Sequence, residues 1–124
     1  MSTMTITVEG ISLSAELNES TTAKNIWDAL PIEGHANVWG DEIYFEIPVV
    51  IEQAPDARAD VEVGELGYWT PGHAFCIFWG PTPASIDDRP RAASPVNVFG
   101  SVTGDATVLR GVRNGAHIQI TRAE

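Results

Sequence analysis

A chain of 124 residues has room for one hydrophobic core and one domain. Its 17 acidic residues outnumber 7 basic ones, for a net charge of −10, and such a surface repels phosphate backbones and anionic membranes, so nucleic acid is not expected as a partner. No stretch nears the ~18 apolar residues of a membrane span, and residues 1–9 lack a basic region followed by a long apolar run, so no membrane association and a soluble cytoplasmic protein are expected.

In chain order, Thr5-Ile6-Thr7-Val8 and Ile11-Ser12-Leu13-Ser14-Ala15-Glu16-Leu17 alternate polar and apolar, with Glu9-Gly10 as a tight turn between them. They predict a hairpin with one core face. A polar cluster, residues 18–22, precedes a short amphipathic helix over Thr22–Leu30, whose Ala23, Ile26, Trp27 and Leu30 share one side; Pro31 stops it. Residues 32–40, with His35, Asn37 and Trp39, read as a loop. The strand from Glu42 to Ile47 sends Ile43, Phe45 and Ile47 one way and Glu42, Tyr44 and Glu46 the other, ending at Pro48. Val49-Val50-Ile51 resume β character, residues 53–60 form a polar loop, and Val61-Glu62-Val63 is a short alternating piece.

The chain is organised around the stretch Gly64–Pro83. Within it Ala74–Trp79 is apolar at every position, so both faces of the implied strand must be covered. Pro71-Gly72 and Gly80-Pro81 bracket it as turns. Residues 84–95, with Asp87, Asp88, Arg89 and Arg91, read as a surface excursion. Val96–Val102 returns to strand with Val96, Val98 and Val102 inward. Asp105 caps a second short helix, Ala106 to about Val112, and Ala116–Thr121 alternates as the last strand. The expected fold is all-β: one closed antiparallel barrel, its edges removed by closure, capped by two short α-helices, with the whole chain 1–124 as a single domain.

No catalytic constellation stands out. His73 and Cys76 have ligand-like spacing, but residues three apart on a strand face opposite sides, so no metal and no cofactor are expected. Cys76, the single cysteine, lies in an apolar run that raises a thiol pKa and disfavours a nucleophile. Glu42 and Glu46 share a strand face, which without a cleft makes no acid/base pair. Trp39, Tyr44, Tyr68 and Trp69 could stack on a flat ligand or serve as half-buried packing. The site read from these residues is an aromatic pocket bounded by Tyr44, Tyr68, Trp69, His73, Phe75 and Phe78, taking a small molecule or a peptide. Arg89 and Arg91 either neutralise Asp87 and Asp88 or bind an anionic group at its rim. A structural or protein-interaction module, with the aromatics as core and interface, is the alternative. The doubly apolar strand also leaves area that a homodimer could cover.

Four stretches carry a resemblance: Thr22–Leu30 followed by Trp39-Gly40-Asp41-Glu42-Ile43-Tyr44-Phe45; Val63-Gly64-Glu65-Leu66-Gly67-Tyr68-Trp69; Gly72-His73-Ala74-Phe75-Cys76-Ile77-Phe78-Trp79-Gly80-Pro81-Thr82-Pro83; and Ser94-Pro95-Val96-Asn97-Val98-Phe99-Gly100. In this order they resemble a small, uncharacterised microbial family with a cyclophilin-like barrel, and the match spans nearly the whole chain. Cyclophilins are peptidyl-prolyl isomerases whose activity rests on an arginine in a Phe-His-Arg strand motif. Here Phe45 is followed by Glu46, and Arg58 stands alone in a polar loop. The resemblance therefore implies the fold, while isomerase activity is expected to be absent or negligible.

Overall fold

The structure is a computed structural model and describes residues 2–123. Its first hairpin joins β1 (Thr3–Val8) to β2 (Ile11–Leu17), pairing Ile6 with Leu13 and Met4 with Ala15 on the buried side. Glu9 and Gly10 both take positive φ, as a tight two-residue hairpin turn requires. Helix α1 (Thr21–Ala29) starts at Ser20, whose hydroxyl accepts from the Ala23 N–H at 3.1 Å. Ala23 and Ile26 are buried and Trp27 packs against the same core, so the helix docks by the stripe that its sequence predicts.

The next segment departs from expectation. Residues 32–38 form two short strands, β3 (Ile32–His35) and β4 (Asn37–Val38), rather than a loop. β5 (Glu42–Glu46) keeps the predicted alternation. Val49–Ile51 are not strand: residues 47–57 form an irregular segment held by side chains. The Tyr68 hydroxyl donates to the Val49 carbonyl and accepts from the Ile51 N–H, while Asn97 reaches the backbone of Glu52 and Ala54 and the Thr22 hydroxyl. A segment with those backbone groups satisfied needs no ladder.

β6 (Arg58–Asp60), β7 (Glu65–Trp69) and β8 (Ala74–Phe78) follow, with a 3₁₀ turn at Thr70–Gly72 between the last two. All five residues of β8 are buried, as its unbroken apolar run demands. β9 (Arg91–Val102) starts well before Val96 and takes up the end of the predicted excursion. A register shift against β7, where Leu66 meets Gly100 but Gly67 meets Val98, leaves Phe99 as an extra residue in β9. Val96 and Val98 consequently pack on the outer face, and Phe99 and Val102 on the inner one, so the three valines do not share a side. The second predicted α-helix is a 3₁₀ helix, Ala106–Leu109, capped by Asp105 as expected but ending two residues before Gly111, which takes positive φ. β10 (His117–Arg122) closes the chain's regular structure.

All ladders are antiparallel, in the order β3-β10-β1-β2-β9-β7-β8-β5-β4, with β6 attached to β9 off this path. The closed barrel is thereby corrected. β3 and β4, at the two ends, form no ladder with each other; they are consecutive pieces of one stretch divided by Ala36. β3 approaches the far end of the sheet, since a Cβ at Gly34 would lie 2.9 Å from the Phe45 ring of β5, the neighbour of β4. Closure is one remedy for exposed edges; here a two-residue β4 and a four-residue β3 leave little edge to protect.

Two apolar clusters result. The larger fills the inner side of the sheet under α1 and the 3₁₀ helix, with Phe75 at 5.4 Å from Phe45 and 5.0 Å from Phe99 between ring centroids. The smaller lies on the outer side of β7, β8 and β9 and contains Val61, Cys76, Phe78, Ala92 and Val96. Among the described residues no helix is long and apolar enough to cross a membrane.

Candidate functional site

The outer cluster is incompletely filled. A cavity of about 240 Å³ opens there, bounded by Glu42 and Tyr44 of β5, Cys76 of β8, Trp69 of β7, and Ala92, Ala93 and Val96 of β9, with Trp39 at its edge. Strand alternation puts these groups together. Tyr44 pairs with Cys76 and Glu42 with Phe78, so β5 and β8 present one face to the cavity while Ile43, Phe45, Phe75 and Ile77 face the inner core.

The walls are held in place by local contacts. Trp69 donates its indole N–H to the Ser94 hydroxyl at 2.7 Å, and its ring lies where any Cβ at Gly72 would fall. Trp39 sits in the turn before β5: its N–H donates to the Glu42 carbonyl at 2.9 Å, and the Asp41 N–H donates to the Pro81 carbonyl at 2.9 Å. Gly40 makes that turn possible, with φ of +62° and the Thr82 backbone 2.8 Å from where its Cβ would stand.

The floor carries the unusual chemistry. Glu42 is only 5% exposed, and its Oε1 has no hydrogen-bond partner among the described residues. Burial pushes its carboxyl up to about 8, and the neighbouring Cys76 thiol offsets this slightly. The same burial, reinforced by Glu42, holds the Cys76 thiol well above its ordinary range. Both groups therefore favour their protonated forms at neutral pH, and the thiol is a poor nucleophile. Most buried carboxyls are paired; this one is not.

Of the residues expected at the site, Tyr44 and Trp69 line the cavity. Phe78 is fully buried in the outer cluster, while Tyr68 and Phe75 lie in the inner core, Tyr68 bonded to the 47–57 segment. His73 takes a left-handed conformation after the 3₁₀ turn and is not among the residues lining the cavity; its carbonyl accepts from Ile47. At the surface, Arg89 pairs with Asp87 at 3.2 Å, and Arg91 stands 3.8 Å from Asp60. Glu42 and Cys76, which the sequence suggested only as members of other pairs, line the cavity together, as do Ala92, Ala93 and Val96. The signal for Glu42 was the alternation that sets it on the face of Tyr44. Among the described residues no group of three or more His, Cys, Asp or Glu side chains could hold a metal ion.

Comparison with known proteins places this geometry in a family. No curated protein matches the chain. The solution structure of the hypothetical protein AF2241 from Archaeoglobus fulgidus is 40% identical, with a TM-score of 0.83 over 98% of this chain and 95% of that one. The structure of McbB in complex with tryptophan aligns with a TM-score of 0.74 at 18% identity, over 96% of this chain but 44% of McbB, and this likeness is one of fold alone. The family described as cyclophilin-like matches residues 2–121, and the chain belongs to it.

Proposed function

We propose that this protein binds a small molecule, or a side chain of a peptide, in the outer cavity, and that it acts by binding rather than by catalysis. The observation that carries the reading is a buried, unpartnered carboxyl at the floor of an aromatic-walled cavity. Ligand sites combine apolar walls with few, well-placed polar groups, and a polar atom left unsatisfied in the free protein is one that a ligand can satisfy. McbB, of like fold, is bound to tryptophan, which fits the capacity of such a scaffold for a compact aromatic molecule. Tyr44 and Trp69 supply aromatic contact, and Phe78 backs the wall from within the outer cluster.

Prolyl isomerisation is not part of this proposal. Stabilising a twisted imide needs a fixed donor above the proline, and the residues lining the cavity include no arginine. A cytoplasmic, soluble protein remains the expected setting. As for a homodimer, both faces of β8 are covered within the chain, so this strand offers no free apolar area to a second copy.

The reading is tested by a fragment screen followed by NMR on the full chain. Fragments are expected to shift the Trp69 indole, Ala92 and Val96 resonances and to lose at least tenfold in affinity in Trp69→Ala. Fragments that bind only elsewhere, with these resonances unmoved, would overturn it.

A further inference from the structure

The geometry points to an organic ammonium cation, carried on a small apolar or aromatic body, as the ligand class of the outer cavity, with Glu42 as its anionic partner. This rests on the binding reading above and names what the site selects.

Three observations converge. First, the one carboxyl among the cavity's lining residues has a free oxygen: Glu42 Oε1 is buried and lacks a hydrogen-bond partner among the described residues. Its neighbour Cys76 is a weak hydrogen-bond donor and carries no positive charge. Second, the walls contain the electron-rich rings of Trp39, Tyr44 and Trp69, the side chains that attract a cation placed over them. The Trp69 indole N–H is already committed to Ser94, so that wall offers a ring and not a donor. Third, among the described residues no lysine or arginine lines the cavity, and the arginines next to its lining on β6 and β9 have acidic companions elsewhere, Arg58 at Glu65 and Arg91 near Asp60. The cavity thus sets a carboxyl and aromatic rings together, with no positive side chain among its lining residues.

The competing ligand classes fare worse. An anion would meet Glu42 with no compensating charge, inside a protein whose net charge is −10. A neutral acceptor could take the carboxyl proton, but it would gain nothing from the aromatic walls beyond contact area. For an ammonium ligand, ionising a carboxyl of pKa about 8 at pH 7 costs about tenfold in affinity. A charge-assisted hydrogen bond, roughly twice as strong as a neutral one, and the cation–ring attraction both act against that cost.

The test uses three probes with one body and different heads: 2-phenylethylammonium, 2-phenylethanol and 3-phenylpropionate. Each is titrated into the full chain at pH 7 and low salt, with affinity read by calorimetry and site by the Trp69 indole, Ala92 and Val96 resonances. The ammonium is expected to bind at least about tenfold tighter than the alcohol, and the carboxylate weakest. Glu42→Gln, nearly isosteric, is expected to erase the ammonium's advantage and leave the alcohol within about twofold. Tyr44→Leu, which keeps apolar bulk but removes a ring, is expected to weaken the ammonium more than the alcohol. Equal binding of ammonium and alcohol to the wild type, or an advantage that survives in Glu42→Gln, would overturn the assignment. If the alcohol moves the cavity resonances without any ammonium preference, the ligand class falls and the binding site stands. If none of the three moves them, the class assignment fails together with the site.

Discussion

The two faces of the strand pair β5 and β8 are covered by the same chain but to different standards. On the inner face Phe45, Phe75 and Ile77 join a cluster to which α1, the 3₁₀ helix and most of the sheet contribute. On the outer face Cys76 and Phe78 meet a thinner cover made from Val61, β7 and β9, and a cavity remains. A packed face that buries rings against rings yields stability. A face that leaves space beside a buried acid gives up some stability for a place where something else can fit. Both faces arise from one apolar run, yet the cavity borders only the outer one.

The inner face is broken most directly by Phe75→Ala. Phe75 is fully buried between two other rings, so the loss is expected to be about 3–5 kcal/mol in urea denaturation. A loss under about 1 kcal/mol would mean that the inner cluster is not the main core.

On the outer face the expected sign reverses. Folded Glu42 keeps its proton until about pH 8, whereas the unfolded chain releases it near 4.5. Between these values the folded state holds more protons, so the contribution of this group favours folding at pH 4.5 and below and is lost as pH rises through 8. Glu42→Gln removes the titration while leaving a neutral polar group buried. Its advantage over the wild type is expected to grow by up to about 5 kcal/mol between pH 4.5 and pH 9, read as melting temperature against pH. A variant whose advantage did not grow with pH would show that Glu42 is already ionised in the free protein.

The smallest effect tests the link between the two faces and the irregular segment 47–57. Tyr68→Phe keeps the ring in the inner core but removes the hydroxyl that bridges Val49 and Ile51. It is expected to cost about 1 kcal/mol, with faster amide hydrogen exchange at Ile51 and unchanged exchange in β8. Protection of Ile51 equal to that of the wild type would assign the segment's order to other contacts, Asn97 first among them.

How far the sequence reached can be seen in particular elements. The hairpin turn, the capped helix and the doubly buried strand each depend on neighbours in the chain: a Glu-Gly pair, a Ser-capped amphipathic stripe, six apolar residues in a row. These local causes were legible. So was the face shared by Glu42 and Tyr44, because alternation needs no partner strand to be counted. The site residues were harder. Tyr68 and Trp69 are adjacent aromatics, and nothing local says that the first enters the core and binds a distant backbone while the second walls a cavity.

What the sequence by itself determined is the antiparallel β-rich domain and the need to cover both sides of Ala74–Phe78, since hydrophobic periodicity and turn chemistry are properties of short windows. Which cover each side receives was decided only in three dimensions. The Phe99 bulge, set by pairing with β7, turned Val96 and Val98 outward, and residues Ala92 and Ala93 at the start of β9 came to the cavity wall. The fate of the sheet's ends was decided there too: two short strands brought near each other through Ala36, with no ladder between them. The unpartnered state of Glu42 belongs to the same level. A missing hydrogen bond is a fact about every group within reach of one oxygen, and those groups come from strands far apart in the chain.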